Sequence, residues 1–151
     1  MLRDEGGTSG RTIPYNGKYR RAEPLCTVAA LAMKLHSWDK VELERLSETA
    51  SRRVVHSERM TTARIRLKQG GVVPRHSHEN EQVSHVLEGA LLFQFDDREV
   101  TARAGDLVEI ASSEPHRVVA LEDSVAMDVF QPVRQDWIEG DDSYLRNPSG
   151  S

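Results

Sequence analysis

A single cysteine, Cys26, is all the thiol that 151 residues contain. It cannot close an internal disulfide, so nothing in the chain points to an oxidising compartment, and its place in an irregular stretch argues against a nucleophilic thiol. Long apolar runs are also missing. The run from Leu25 to Met33 falls far short of the ~20 residues that a spanning helix needs. Arg20 and Arg21 precede it as in a secretory signal. Cleavage at the small-residue spacing Ala30-Leu31-Ala32, however, would leave only Leu25 to Ala29 as the apolar core, shorter than a signal uses. An excess of positive charge is absent as well. Lys and Arg number 20 against 24 Asp and Glu, a net charge of -4, whereas nucleic acid selects a basic surface. No heptad, repeat, low-complexity run or Gly-rich phosphate loop is present. These absences leave a cytoplasmic, unprocessed protein as the expectation, with neither nucleic acid nor membrane as partner.

What is present is ordinary for a globular chain, with 38% hydrophobic and 29% charged residues in a length that suits one domain. Residues 1–32, rich in Gly, Arg, Thr and Pro and without periodicity, read as a flexible N-terminal extension. Residues 33–146 read as the folded domain with a short C-terminal tail. From Arg52 the chain breaks into short β-type runs separated by turn signals, the pattern of an all-β sandwich or barrel. Candidate strands are Arg53 to His56, Thr61 to Lys68, Gln82 to Leu87, Leu91 to Phe95, Glu99 to Ala102, Leu107 to Ile110, His116 to Ala120 and Val125 to Phe130. Gly70-Gly71, Asp96-Asp97, Gly105-Asp106 and Glu122-Asp123 punctuate them. Trp38 to Arg45 and Arg134 to Ile138 are the candidate short helical turns. In the second strand Arg64 and Arg66 alternate with Ala63, Ile65 and Leu67, which turns both arginines to solvent, to a partner sheet or to a substrate carboxylate.

The chemistry concentrates between Gly70 and Gly89. His76 and His78 are two residues apart, so in an extended chain both imidazoles point to one face, and Gln82 shares their parity. Two imidazoles and an amide oxygen converging on one face lose hydration unless something binds them, and a divalent first-row metal is the usual occupant. His85 has the opposite parity and should point away. His36 and His56 have no motif around them and read as surface or packing residues, and Glu79 and Glu81 as solvated turn residues. Further along, Asp128 sits among apolar residues in the last strand, where a carboxylate is either a structural hydrogen-bond acceptor or a general acid or base. Phe130 shares its parity, Pro132 ends the strand, and Arg134 can fold back over the same end.

Gly70, His76, His78 and Gly89, with Gln82 in place of glutamate, resemble the first cupin motif, G-x5-H-x-H-x3/4-E-x6-G. Gly105 and His116 resemble the second, G-x5-P-x-G-x2-H-x3-N, with Ala111, Ser113 and Ala120 replacing its proline, glycine and asparagine. The resemblance, over roughly residues 40 to 135, implies a single-domain double-stranded β-helix, or jelly-roll, barrel and a homodimer. It also implies one divalent transition metal (Zn, Ni, Fe or Mn) held by His76, His78, Gln82 and His116. These four ligands carry no charge, which leaves the ion's full charge to attract a small carboxylate or sugar-acid ligand. The run Asp128-Val-Phe130-Gln-Pro132-Val-Arg134-Gln-Asp136-Trp137 further resembles the pectin-degradation type of small cupin that linearises 4,5-unsaturated uronates, in which the matching Asp, Phe and Arg line the active site. Carried over, Asp128, Phe130 and Arg134 are the catalytic candidates. A metal-dependent dioxygenase and a non-catalytic metal or small-ligand binding cupin are the alternatives.

Overall fold

The computed structural model describes residues 33–146. The N-terminal extension expected over residues 1–32, with Cys26, lies outside the described residues. From Leu35 onward the chain forms its own compact unit of ten strands and two short helices. The strands are β1 (Glu44–Arg45), β2 (Ala50–His56), β3 (Thr61–Leu67), β4 (Val72–His76), β5 (Glu81–Glu88), β6 (Ala90–Phe95), β7 (Glu99–Arg103), β8 (Leu107–Ile110), β9 (His116–Ala120) and β10 (Ser124–Gln131). The helices α1 (Gln135–Glu139) and α2 (Ser143–Arg146) follow. All pairing is antiparallel, in a six-stranded sheet of order β1-β2-β3-β10-β5-β8 and a four-stranded sheet of order β4-β9-β6-β7. This is the expected all-β jelly roll.

The period-2 reading holds on β5 and β9 and over most of β3. On β3 Thr61, Ala63 and Leu67 are buried, and on β5 Gln82, Ser84 and Val86 are buried while Val83 and His85 are half-buried on the other face. The inner faces meet in one core that includes Ala63, Leu67, Val86, Phe93, Ile110, Val118, Ala126 and Phe130. Along β5, β9 and β10 this inward column is apolar at one end (Val86, Ala120, Ala126) and polar at the other (Gln82, His116, Asp128). The β10 register sets Asp128 opposite Ser84 and Phe130 opposite Gln82, and the β4–β9 register sets His76 opposite His116.

One expectation fails. Trp38 to Arg45 is not helical: residues 38–40 form a turn and Glu44–Arg45 is strand β1, paired to Arg52 and Ser51. Its apolar residues follow no 3.6 period strong enough to hold a helix, whereas Glu44 gains an ion pair with buried Arg52 by extending. Val72–His76, which is not among the candidate strands, is strand β4. The other short helix does form, one residue later than expected, at Gln135–Glu139. Among the described residues no helix is long and apolar enough to cross a membrane.

Candidate functional site

His76, at the end of β4, His78, in the link to β5, and His116, at the start of β9, converge so that one ligand atom from each lies within 4.8 Å of the others. Ring centroids are 4.4 Å apart for His76 and His116 and 5.4 Å for His78 and His116. Each imidazole is oriented through Nδ1 to a backbone carbonyl two residues away: His76 to Pro74 at 2.8 Å, His78 to Asn80 at 3.0 Å and His116 to Glu114 at 2.9 Å. With the proton on Nδ1, Nε2 keeps its lone pair for an ion. Burial and the neighbouring positive groups keep the rings neutral, with His76 pushed down to about 3, His78 to about 4 and His116 also lowered.

Gln82 lies beside this cluster. Its amide nitrogen donates to Ser84 Oγ at 2.8 Å, Ser84 Oγ donates to Asp128 Oδ1 at 2.6 Å, and Gln82 Oε1 is thereby turned to His78 Nε2 at 3.0 Å. A neutral His78 has one N–H and faces two acceptors, Asn80 O and Gln82 Oε1, so in either tautomer one pair of lone pairs points together. A cation shared by Nε2 and Oε1 removes that conflict. Three imidazole nitrogens and an amide oxygen are also a donor set that a first-row divalent ion accepts. The residues present therefore fit a metal.

The second half of the site comes from β10 and the tail behind it. Asp128 is the one acid among the residues that line the cavity beside His76 and His116, a space of about 60 Å³. Burial pushes its carboxyl up to about 6, against the opposing pull of the Ser84 hydrogen bond and the Arg134 charge. Arg134 is 1% exposed. Asp136 grips its Nε at 2.9 Å and Nη2 at 2.5 Å, Tyr144 Oη accepts from Nη2 at 2.9 Å, and the guanidinium lies over Phe130 and Trp137. Asn80, itself buried, donates to the Pro132 carbonyl and so holds the turn that brings Arg134 inward.

All seven candidate residues, His76, His78, Gln82, His116, Asp128, Phe130 and Arg134, fall in this one region of the barrel. Arg64 and Arg66 do not: with Arg53, Trp38, Asp39 and Leu43 they line a separate groove, which removes them from the cavity's carboxylate chemistry. His36 and His56 are exposed, as are Glu79 and Glu81. Three residues of the site were not singled out from the sequence, Asn80, Ser84 and Tyr144. Parity with Gln82 on an inward strand face was the signal for Ser84. Tyr144 stacks on His76 at 4.7 Å and lies beyond any motif, so nothing in the chain announced it.

An antiparallel two-sheet barrel with a tri-histidine cluster at its polar end defines the class. Residues 63–130 match the family model for the Cupin domain. The chain is 30% identical to an RmlC-like cupin protein from Desulfovibrio desulfuricans, over 68% of this chain and 99% of that one, with a TM-score of 0.56. It is 25% identical to KdgF from Halomonas sp., over 66% and 94%, with a TM-score of 0.62. An RmlC-like cupin from Shewanella frigidimarina shares the fold at 22% identity, over 70% and 96%, with a TM-score of 0.65. No curated protein matches the chain. The protein belongs to the cupin superfamily.

Proposed function

We propose that this cupin is a metal-dependent enzyme that converts 4,5-unsaturated uronic acids to linear keto acids by ketonisation and ring opening. The observation that carries the reading is Asp128, a buried carboxyl at about 6 that faces the same cavity as the histidine cluster and has the Ser84 hydroxyl, not backbone donors, as its partner. A binding module would hold such a carboxylate in a backbone cradle. The likeness to the small pectin-degradation cupins over Asp128 to Trp137 and the similarity to KdgF support the same direction.

His76, His78, Gln82 and His116 would hold the ion, which supplies a Lewis acid and an anchor for a carboxylate when bound. Because these four donors are neutral, the site favours an anionic substrate. Arg134, fixed by Asp136 and Tyr144, adds a second positive group for the uronate carboxylate or for orienting water, and Phe130 packs the ring. Asp128, its carboxyl raised by burial to about 6, delivers a proton to C4 of the enol ether. It then takes one from the water that adds at C5, so the carboxyl returns to its starting state and the net addition is one water. The resulting hemiketal opens by breaking the bond between C5 and the ring oxygen. A general acid or base so placed contributes ~10²–10⁴-fold.

The cavity of about 60 Å³ has room for roughly four to six waters, well below the usual ligand pocket. Tyr144 and Leu145 of the C-terminal segment are among the residues that line the cavity. The test is to incubate metal-analysed protein with 4,5-unsaturated uronates and follow the enol-ether absorbance. Decay that depends on the ion and on Asp128 is expected. No decay with any common divalent metal would overturn the proposal.

A further inference from the structure

Gln82 differs from the glutamate of the motif in one physical respect beyond charge: its two ends are not equivalent. A carboxylate presents oxygen whichever way it turns, but an amide turned by 180° presents N–H protons where an ion needs a lone pair. The orientation of Gln82 is therefore a condition of the site, and something must set it.

We propose that Ser84 is the positioning residue that makes Gln82 an oxygen ligand. The argument rests on a count of protons. Ser84 Oγ has one hydrogen, given to Asp128 Oδ1 at 2.6 Å, so toward Gln82 it can only accept, and it accepts from Nε2 at 2.8 Å. The amide oxygen is thereby left facing His78 Nε2 at 3.0 Å. Gln82 and Ser84 are 5% and 1% exposed, so water does not compete for these groups. They lie on the inward face of β5, and β10 sets Asp128 directly opposite Ser84.

Remove the hydroxyl and the preference reverses. The amide N–H then has no acceptor on the Ser84 side, while the lone pair of His78 Nε2 lies within reach on the other. The flipped amide would donate to His78, occupying the nitrogen an ion would use and pointing its own oxygen away. Ser84 thus acts on metal affinity through Gln82, without touching the ion.

The inference rests on the metal reading of the site, and titration of metal-free protein with Zn²⁺, Ni²⁺ and Mn²⁺ by calorimetry separates the two. Wild type should bind one ion. Ser84→Ala should bind ~10–100-fold more weakly, the range for loss of a group that orients a ligand. In a Gln82→Glu background, where no flip can matter, the same Ser84→Ala change should alter affinity less than about 3-fold, which a merely structural role of Ser84 would not predict. Ser84→Thr keeps the hydroxyl and carries the test if the alanine variant does not melt cooperatively: affinity within about 3-fold of wild type supports the proposal, and a tenfold loss in folded Ser84→Thr overturns it. Wild-type affinity in Ser84→Ala, or an equal loss in the Gln82→Glu background, also overturns it while leaving the metal site standing. No ion bound by wild type overturns both.

Discussion

The Asp128 carboxyl, lifted from 3.8 to about 6 by burial, makes stability depend on pH in the direction opposite to an ion-paired aspartate. Its raised folded pKa means that the contribution is fully present below the unfolded pKa and is lost as pH rises through about 6, when the buried carboxylate must ionise. A shift of about two units corresponds to at most roughly 3 kcal/mol. Asp128→Asn removes that loss, so its stability relative to wild type should rise by about 2–3 kcal/mol between acid and mildly basic pH. Paired urea melts of the two proteins across that range provide the measurement. A constant difference would show that the carboxyl is not raised. The same variant should keep its ion and lose ~10²–10⁴-fold in kcat, so full activity with metal bound would remove Asp128 from the chemistry.

Among the elements, the C-terminal segment is tied to the barrel by ion pairs as well as by the packing of Trp137 and Leu145 in the core. Asp142, 4% exposed, pairs with Arg52 at 2.5 Å and with Arg146 at 3.0 Å, and Arg52 also reaches Glu44 on β1 and lies over Trp137. Arg52 Nη1 is already buried without a partner among the described residues. Asp142→Asn should therefore lower stability by about 2–4 kcal/mol, since it leaves a buried guanidinium on Glu44 alone. Burial opposes ionisation of Asp142, but the Arg146 hydrogen bond and the Arg52 charge outweigh it and hold the carboxyl below its ordinary range. That stability is present above about pH 4 and fades as pH falls through the depressed value, so the variant should lack part of the wild-type acid limb in a melt series. An unchanged acid limb would place the segment's hold elsewhere. This network also marks where the sequence stopped being legible. Strands with inward alternation, such as β5 and β9, were readable because one period decides both burial and pairing. Strand β1 was not, since Glu44 is extended by an arginine eight residues away, and Tyr144 was not, since its stacking on His76 depends on a tail with no motif. Ser113 shows the reverse case: it stands where the motif has glycine, yet adopts φ of 64°, and its N–H bonds the His78 carbonyl at 2.7 Å. The loop keeps the glycine's left-handed shape at a conformational cost that the His78 contact offsets.

For the molecule as a whole, the candidate ligands join the two sheets. His76 and His116 belong to β4 and β9 of the four-stranded sheet, Gln82 to β5 of the six-stranded one, and His78 to the link between them. The motif spacing made this cluster readable in advance, but strand alternation alone would not have paired these two histidines, because the β4–β9 ladder shifts register between Val73, opposite Val118, and His76, opposite His116. An ion held there bridges the sheets and binds the folded state alone, so it should act on global unfolding and not on one loop. At an ion concentration of 100 times Kd the gain is ~2.7 kcal/mol, which for a chain of this length raises Tm by about 5–10 °C. Calorimetric scans of protein stripped with EDTA and then given Zn²⁺, Ni²⁺ or Mn²⁺ should show that rise as a shift of the whole transition. His116→Ala should abolish it, since two imidazoles and an amide hold an ion far more weakly. His56→Ala, which changes an exposed histidine bonded only to Thr61, should preserve it. A metal-dependent rise that survives in His116→Ala would place the ion away from this cluster.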